Sequence, residues 1–105
     1  MVEPNQIREL ADRIAREFDP ERIILFGSHA YGTPRAESDV DLLVIMEHQG
    51  STFDKSLEIW SEVRPGFSAD IMVRDPADVT RRYSQFDPLI REALDRGTIL
   101  YERNR

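Results

Sequence analysis

The stretch ILFGSHAYGTPRAESDVDLLVI, residues 24–45, decides how the chain folds. A short β-branched apolar run, Ile23-Ile24-Leu25-Phe26, stops at Gly27-Ser28, and a second, Val40 to Met46, opens inside Ser38-Asp39-Val40-Asp41. Apolar runs of this length bounded by glycine and serine are expected to be strands. The second is apolar at every position except Asp41, as an interior strand covered on both faces should be. Residues 27–38 leave room for one helical turn around His29 to Tyr31 and for no long helix. Strands joined without a crossover helix pair antiparallel.

Outward from this pair, the remaining elements follow from periodicity. Upstream, Ile7, Leu10, Ala11, Ile14, Ala15 and Phe18 fall on one helical face behind Pro4-Asn5, and Asp19-Pro20 ends that helix. Downstream of a turn at Gln49-Gly50-Ser51, the residues Phe53, Leu57, Trp60 and Val63 recur at helical spacing. That helix is long enough to be a right-handed crossover, so the strand beyond Pro65-Gly66, Ala69 to Val73, is expected parallel to Val40–Met46. Phe53 and Trp60 are assigned to the core, although periodicity alone does not separate a core stripe from a partner surface. Asp75-Pro76 and Asp87-Pro88 are two helix starts, N-cap followed by proline at the first helical position. Gly97 is the expected C-cap of the second, and Thr98 to Tyr101 a last strand. The order is α-β-β-α-β-α-α-β, an α/β (α+β) arrangement with a small mixed sheet flanked by helices.

Composition bounds the function. The 105 residues suit one domain, residues 1–105, with 40% apolar and 32% charged side chains. No cysteine is present, which excludes disulfides and thiolate metal sites. The N-terminus shows no basic segment followed by an apolar one, and the longest apolar run, Leu42 to Met46, is far too short to span a membrane, so a cytoplasmic location is expected. The formal net charge is −6, and the 14 basic residues include a single lysine, Lys55. Such a chain is a poor generic binder of the nucleic-acid backbone. The basic pair Arg81-Arg82 is expected on a solvated helix face.

With the strand order above, the end of the first strand and the starts of the second and third meet at one end of the sheet. Gly27-Ser28, Asp39, Asp41 and Asp70 converge there. Asp39 and Asp41 share one face of their strand, because side chains alternate. Two carboxylates so close repel each other unless a cation lies between them. Asp70 is the only charge in the run Phe67 to Val73. Three carboxylates on a rigid sheet suit a hard cation, and magnesium takes a few carboxylates together with phosphate oxygens. Two such ions can clamp the attacking and leaving oxygens of an in-line displacement. The Gly27-Ser28 turn adds backbone access and a hydroxyl donor for a phosphate. His29 is given no chemical role, and Ser38 is expected to orient Asp39.

The motif GSHAYG followed after five residues by SDVDLLV, with SADIMV and the closing PLIREALDRGTILYE, resembles the minimal nucleotidyltransferase domain of the DNA polymerase beta superfamily. The resemblance covers essentially the whole chain. It is strongest to short prokaryotic proteins of the MNT type, often encoded beside a HEPN-domain toxin. The resemblance implies that Asp39 and Asp41 hold two magnesium ions, that Asp70 holds the catalytic one and helps activate the attacking hydroxyl, and that Gly27 and Ser28 bind the terminal phosphates of a nucleoside triphosphate. It implies attack on the α-phosphate with release of pyrophosphate, ATP as donor, and a HEPN toxin tyrosine as acceptor of AMP, so that the protein acts as an antitoxin. A related pattern often carries arginine where this chain has Tyr31.

The chain has no room for a separate acceptor-binding domain, which favours a macromolecular acceptor over an enclosed small-molecule pocket. Two other functions stay open at this level. One is a non-catalytic antitoxin or nucleotide-binding module that neutralises its partner by complex formation. The other is transfer to a small hydroxyl compound with a separately encoded acceptor-binding domain. A monomer, a homo-oligomer and a hetero-oligomer are equally compatible with the sequence.

Overall fold

The computed structural model describes residues 1–104. Its elements run α1 (Pro4–Phe18), β1 (Arg22–Phe26), α2 (Ser28–Tyr31), β2 (Val40–Ile45), α3 (Thr52–Val63), β3 (Ala69–Arg74), α4 (Pro76–Ser84), α5 (Pro88–Arg96) and β4 (Thr98–Glu102). The sheet order is β3-β2-β1-β4. As expected from the connection lengths, β1 and β2 pair antiparallel and β2 and β3 pair parallel through the α3 crossover. β4 returns antiparallel to β1, with a register shift between Ile23 and Ile24.

Helices cover both faces, which is why β1 beyond Arg22 and β2 apart from Asp41 are apolar. On one face, Ile23, Leu25, Val40, Leu42, Val44, Ile71 and Val73 pack against Ile7, Leu10, Ala11 and Ile14 of α1 and Ile59 and Val63 of α3. On the other, Ile24, Phe26, Leu43 and Ile45 pack against Val79 of α4 and Ile90 and Ala93 of α5.

The helix ends follow local chemistry. The backbone N–H of Glu3 donates to Gln6 Oε1 at 2.8 Å ahead of Pro4, and Asp19 stops α1 in the left-handed conformation at φ 44°. The Asp87 carboxylate accepts from the N–H groups of Leu89 and Ile90, the expected N-cap. Asp75 begins α4 without capping it. Its Oδ1 accepts instead from the His48 backbone N–H at 3.2 Å, which ties the end of β2 to α4.

One expectation is corrected. Phe53 and Trp60 are not core residues: Phe53 is 72% exposed and Trp60 44%, while Ile59 and Val63 make the buried contact of α3. The helix carries two apolar stripes, and the one with the larger side chains faces outward. Gly97 is the C-cap of α5 as expected, at φ −73°, ψ 170°. Glycine suits this position because a Cβ would lie 2.6 Å from Ile24 Cγ2 and 2.8 Å from the Leu25 carbonyl. The pair Arg81-Arg82 is on a polar face, as expected, where both guanidiniums bond Asp78 and Arg82 also reaches Asp87 at 3.2 Å.

Candidate active site

The register of three strands places the carboxylates. Phe26 is opposite Asp41, and Asp41 is opposite Asp70. Side-chain alternation puts Asp41 on the face occupied by Leu43 and Ile45, and Asp70 on the face occupied by Met72, so both point to the side covered by α4 and α5. Asp39 lies two residues before Asp41, at the exposed entrance to β2. Its Oδ1 accepts a short hydrogen bond from the Ser68 hydroxyl, which anchors it to the start of β3.

β1 ends where it does because Gly27 adopts φ 78°, ψ −159°. This backbone is open to glycine and costly for other residues. A Cβ there would also collide with Asp41 Oδ2, so the carboxylate rests directly against the glycine. Ser28 opens the single turn α2, in which the N–H groups of Ala30 and Tyr31 return to the Gly27 carbonyl at 3.0 and 3.2 Å. Gly27, Ser28, Asp39, Asp41 and Asp70 therefore occupy one end of the sheet.

The electrostatics centre on Asp41. Burial pushes its carboxyl above the usual aspartate range, the charges of Asp70 and then Asp39 push it further, and His29 opposes them. Glu92 of α5 adds to the repulsion. Tyr31 lies beside this group: burial first, and the neighbouring Glu92 next, raise its phenol. The Tyr31 hydroxyl is buried beside Glu92, and the Arg96 guanidinium stacks 4.1 Å from its ring centre.

Sequence reasoning missed Ser68 and Glu92. Extending the β2–β3 register back by one residue from Val40–Ala69 would have put Ser68 beside Asp39. No sequence signal marks Glu92, which reaches the site only through the docking of α5 on the sheet. His29 lies near Asp41, and its Nε2 donates to the Ser38 carbonyl at 3.3 Å. Ser38 braces the preceding loop, its hydroxyl accepting from the Arg35 N–H at 2.9 Å.

Among the described residues, no three His, Cys, Asp or Glu side chains are gathered as a closed metal cage. The donor set nevertheless fits magnesium. That ion needs only one or two protein carboxylates when phosphate and water complete its octahedron. The mutual repulsion raising Asp41 is what a dication would relieve.

The sequence profile described as "Polymerase beta, Nucleotidyltransferase" matches residues 7–105. The chain belongs to this nucleotidyltransferase family. Solved structures with the same architecture include a candidate nucleotidyltransferase from Sulfolobus solfataricus, with a TM-score of 0.65 at 22% identity over 94% of this chain and 79% of the other. A toxin–antitoxin complex with AMP-PNP gives 0.56 at 19% identity, over 92% of this chain and 74% of the other. An MntA–HepT toxin–antitoxin mutant, with two aspartates changed to glutamate, gives 0.55 at 17% identity, over 98% and 76%. These likenesses establish a shared polymerase beta nucleotidyltransferase fold, a mixed four-stranded sheet flanked by helices. Curated proteins offer no match.

Proposed function

We propose that this nucleotidyltransferase moves AMP from ATP onto a protein hydroxyl, a tyrosine of a HEPN-domain toxin, and so acts as that toxin's antitoxin. The observation that carries the reading is Asp41 held against Gly27 and in register with Asp70, its carboxyl raised by burial and by the two neighbouring aspartates. A structural protein gains nothing from such repulsion, whereas a phosphoryl-transfer site uses it to attract cations and, through them, phosphate. The relatives crystallised with AMP-PNP and as MntA–HepT complexes support ATP as donor and a toxin as partner.

In this reading Asp39 and Asp41 would hold two magnesium ions, and Asp70 would help hold one of them. Bound magnesium supplies positive charge against the phosphate oxygens and the leaving pyrophosphate. Gly27 leaves its backbone open to the approach of the terminal phosphates, and Ser28 offers them its hydroxyl. Asp70 orients the acceptor hydroxyl and draws off its proton. The acceptor oxygen then bonds to the α-phosphorus, the bond from that phosphorus to the α–β bridging oxygen breaks, and pyrophosphate leaves with the electron pair. Ser68 keeps Asp39 in place during this exchange.

The test is to co-purify the cognate toxin after expression with the wild-type chain or with Asp70→Asn, and to weigh the intact toxin by mass spectrometry. The proposal predicts toxin heavier by whole AMP units with the wild type and unmodified toxin with the variant. Unmodified but fully inhibited toxin in both cases would replace enzymatic antitoxin with inhibition by binding.

A further inference from the structure

Among the described residues β3 is an edge strand, bonded to β2 on one side and to no strand on the other. The ladder defines which of its backbone groups face outward. The Val40 N–H donates to the Ser68 carbonyl and the Met46 N–H to the Arg74 carbonyl, both at 3.0 Å, in a register pairing Val40 with Ala69. A parallel ladder engages alternate residues, so Ser68, Asp70, Met72 and Arg74 turn their backbone groups to β2. Ala69, Ile71 and Val73 turn theirs away from the sheet. The Val73 carbonyl is covered by the guanidinium of Arg74, whose Nη1 donates to it at 2.7 Å, which leaves the edge open at Ala69 and Ile71.

Beside this edge hangs the outward stripe of α3. Phe53, Leu57 and Trp60, spaced i, i+4 and i+7, are 72%, 53% and 44% exposed. With Ile71 and Arg74 they line a groove of about 360 Å³, and Asp70 lines the same groove. An open strand edge, an aromatic flank and a candidate catalytic carboxylate are thus continuous.

We propose that this groove docks the acceptor: an extended, non-acidic segment of the acceptor protein adds to β3 as a fifth strand. The proposal rests on the nucleotidyl-transfer reading above. A strand laid along β3, about 4.8 Å away, alternates its side chains in step with those of β3. A residue opposite Asp70 shares Asp70's face, so its hydroxyl is delivered to the carboxylates. The residues immediately before and after it point to the other face, where Phe53, Leu57 and Trp60 receive them. The recognised segment is therefore a hydroxyl residue between two apolar ones.

Charge selects the occupant. Asp39, Asp41, Asp70 and Glu92 gather at this end of a chain of net charge −6, which disfavours an acidic segment. Pairing with a second copy through β3 would bring the same carboxylates and another −6 to this edge. A lysine- or arginine-flanked segment of a different protein meets neither obstacle.

Trp60 is the only tryptophan, so its emission reports on the groove directly. The probe is a short peptide with tyrosine between two valines and lysines at both ends, titrated into the full chain. The proposal predicts a blue shift of Trp60 emission and slowed hydrogen exchange at the Ala69 and Ile71 amides. With α-labelled ATP and magnesium it predicts label on the peptide tyrosine. Changing Leu57→Glu and Trp60→Glu together, both exposed positions, should raise KM for the peptide about tenfold or more while the Kd for ATP stays unchanged. Unchanged emission and exchange on adding peptide would overturn the docking surface. So would slowed exchange at the same amides without peptide in a chain that sediments as a dimer, which would assign the edge to a second copy. Peptide labelled with an unaltered KM in the double variant overturns the groove and leaves nucleotidyl transfer standing. Peptide bound with the predicted shifts but never labelled keeps the groove and overturns transfer.

Discussion

At Asp41 the fold and the chemistry pull in opposite directions. Packing of β2 half-buries its carboxylate beside Asp70 and Asp39, which raises its pKa. The folded chain then binds that proton more tightly than the unfolded chain, so ionising Asp41 costs stability as pH rises through its folded-state pKa. Asp41→Asn removes this cost. Without metal, the variant should melt above the wild type at neutral pH, and the gap should close as pH falls below the ordinary aspartate range, as read by thermal unfolding across pH. Magnesium should raise the wild-type midpoint and leave that of the variant nearly unchanged. The same change should lower AMP transfer roughly a hundredfold or more, measured as initial rate at saturating ATP. Gly27 tests the site from the other side. Gly27→Ala adds a Cβ where Asp41 Oδ2 lies and forces alanine to φ 78°. It should cost about 1–2 kcal/mol in urea unfolding from the backbone alone, and displace the carboxylate as well. Ser28 and Glu92 have no comparable stability signature, and their substitution should be read in nucleotide binding.

Among the elements, α3 shows where sequence periodicity runs out. Its outward stripe of Phe53, Leu57 and Trp60 is larger and more regular than the pair that packs, Ile59 and Val63. A hydrophobic pattern reports that a face is apolar, and only the placement of neighbouring elements tells which face is covered. The inner face of α3 also carries Thr52 and Ser56, which weakened its signal. Ile59→Ala should therefore cost about 2–4 kcal/mol in urea unfolding. Phe53→Ala, the larger truncation, should stay within about 0.5 kcal/mol. α1 had no competing stripe, and its buried residues Ile7, Leu10, Ala11 and Ile14 were all legible in advance. The start of α5 was legible as well, because Asp-Pro states both a cap and a first turn. Asp87→Ala should cost about 1 kcal/mol through the two lost N–H bonds. The N–H groups of Ile90 and Leu89 and the Arg82 guanidinium hold the Asp87 carboxyl below its usual range. That stabilisation is present above the ordinary aspartate pKa and is lost as pH falls through the lower folded value, so the wild-type advantage should vanish in acid.

For the whole molecule, two connection lengths were enough to order three strands. The short link from β1 to β2 required an antiparallel pair, and the α3 crossover required a parallel one. Those two relations bring residues 27–28, 39–41 and 70 to one end of the sheet, which is why that part of the candidate site could be read from sequence. β4 at the opposite edge depended on the last turn, and the approach of Glu92 and Arg96 to Tyr31 depended on how α5 lies on the sheet. Neither leaves a periodic trace. The molecule that results has a radius of gyration of 13.0 Å, with the carboxylates at one end of a covered sheet and an open β3 edge beside them. Among its described residues, no helix is long and apolar enough to cross a membrane.

The central claim is that these carboxylates transfer a nucleotide to a protein. Its most direct measurement is incorporation of α-phosphorus label from ATP, with magnesium, into proteins of a source-cell lysate, comparing the wild-type chain with a folded Asp39→Asn, Asp41→Asn double variant. The account predicts one discrete labelled protein with the wild type and none with the variant. Equal labelling in both samples, or no label with the cognate partner present and unmodified, would contradict it.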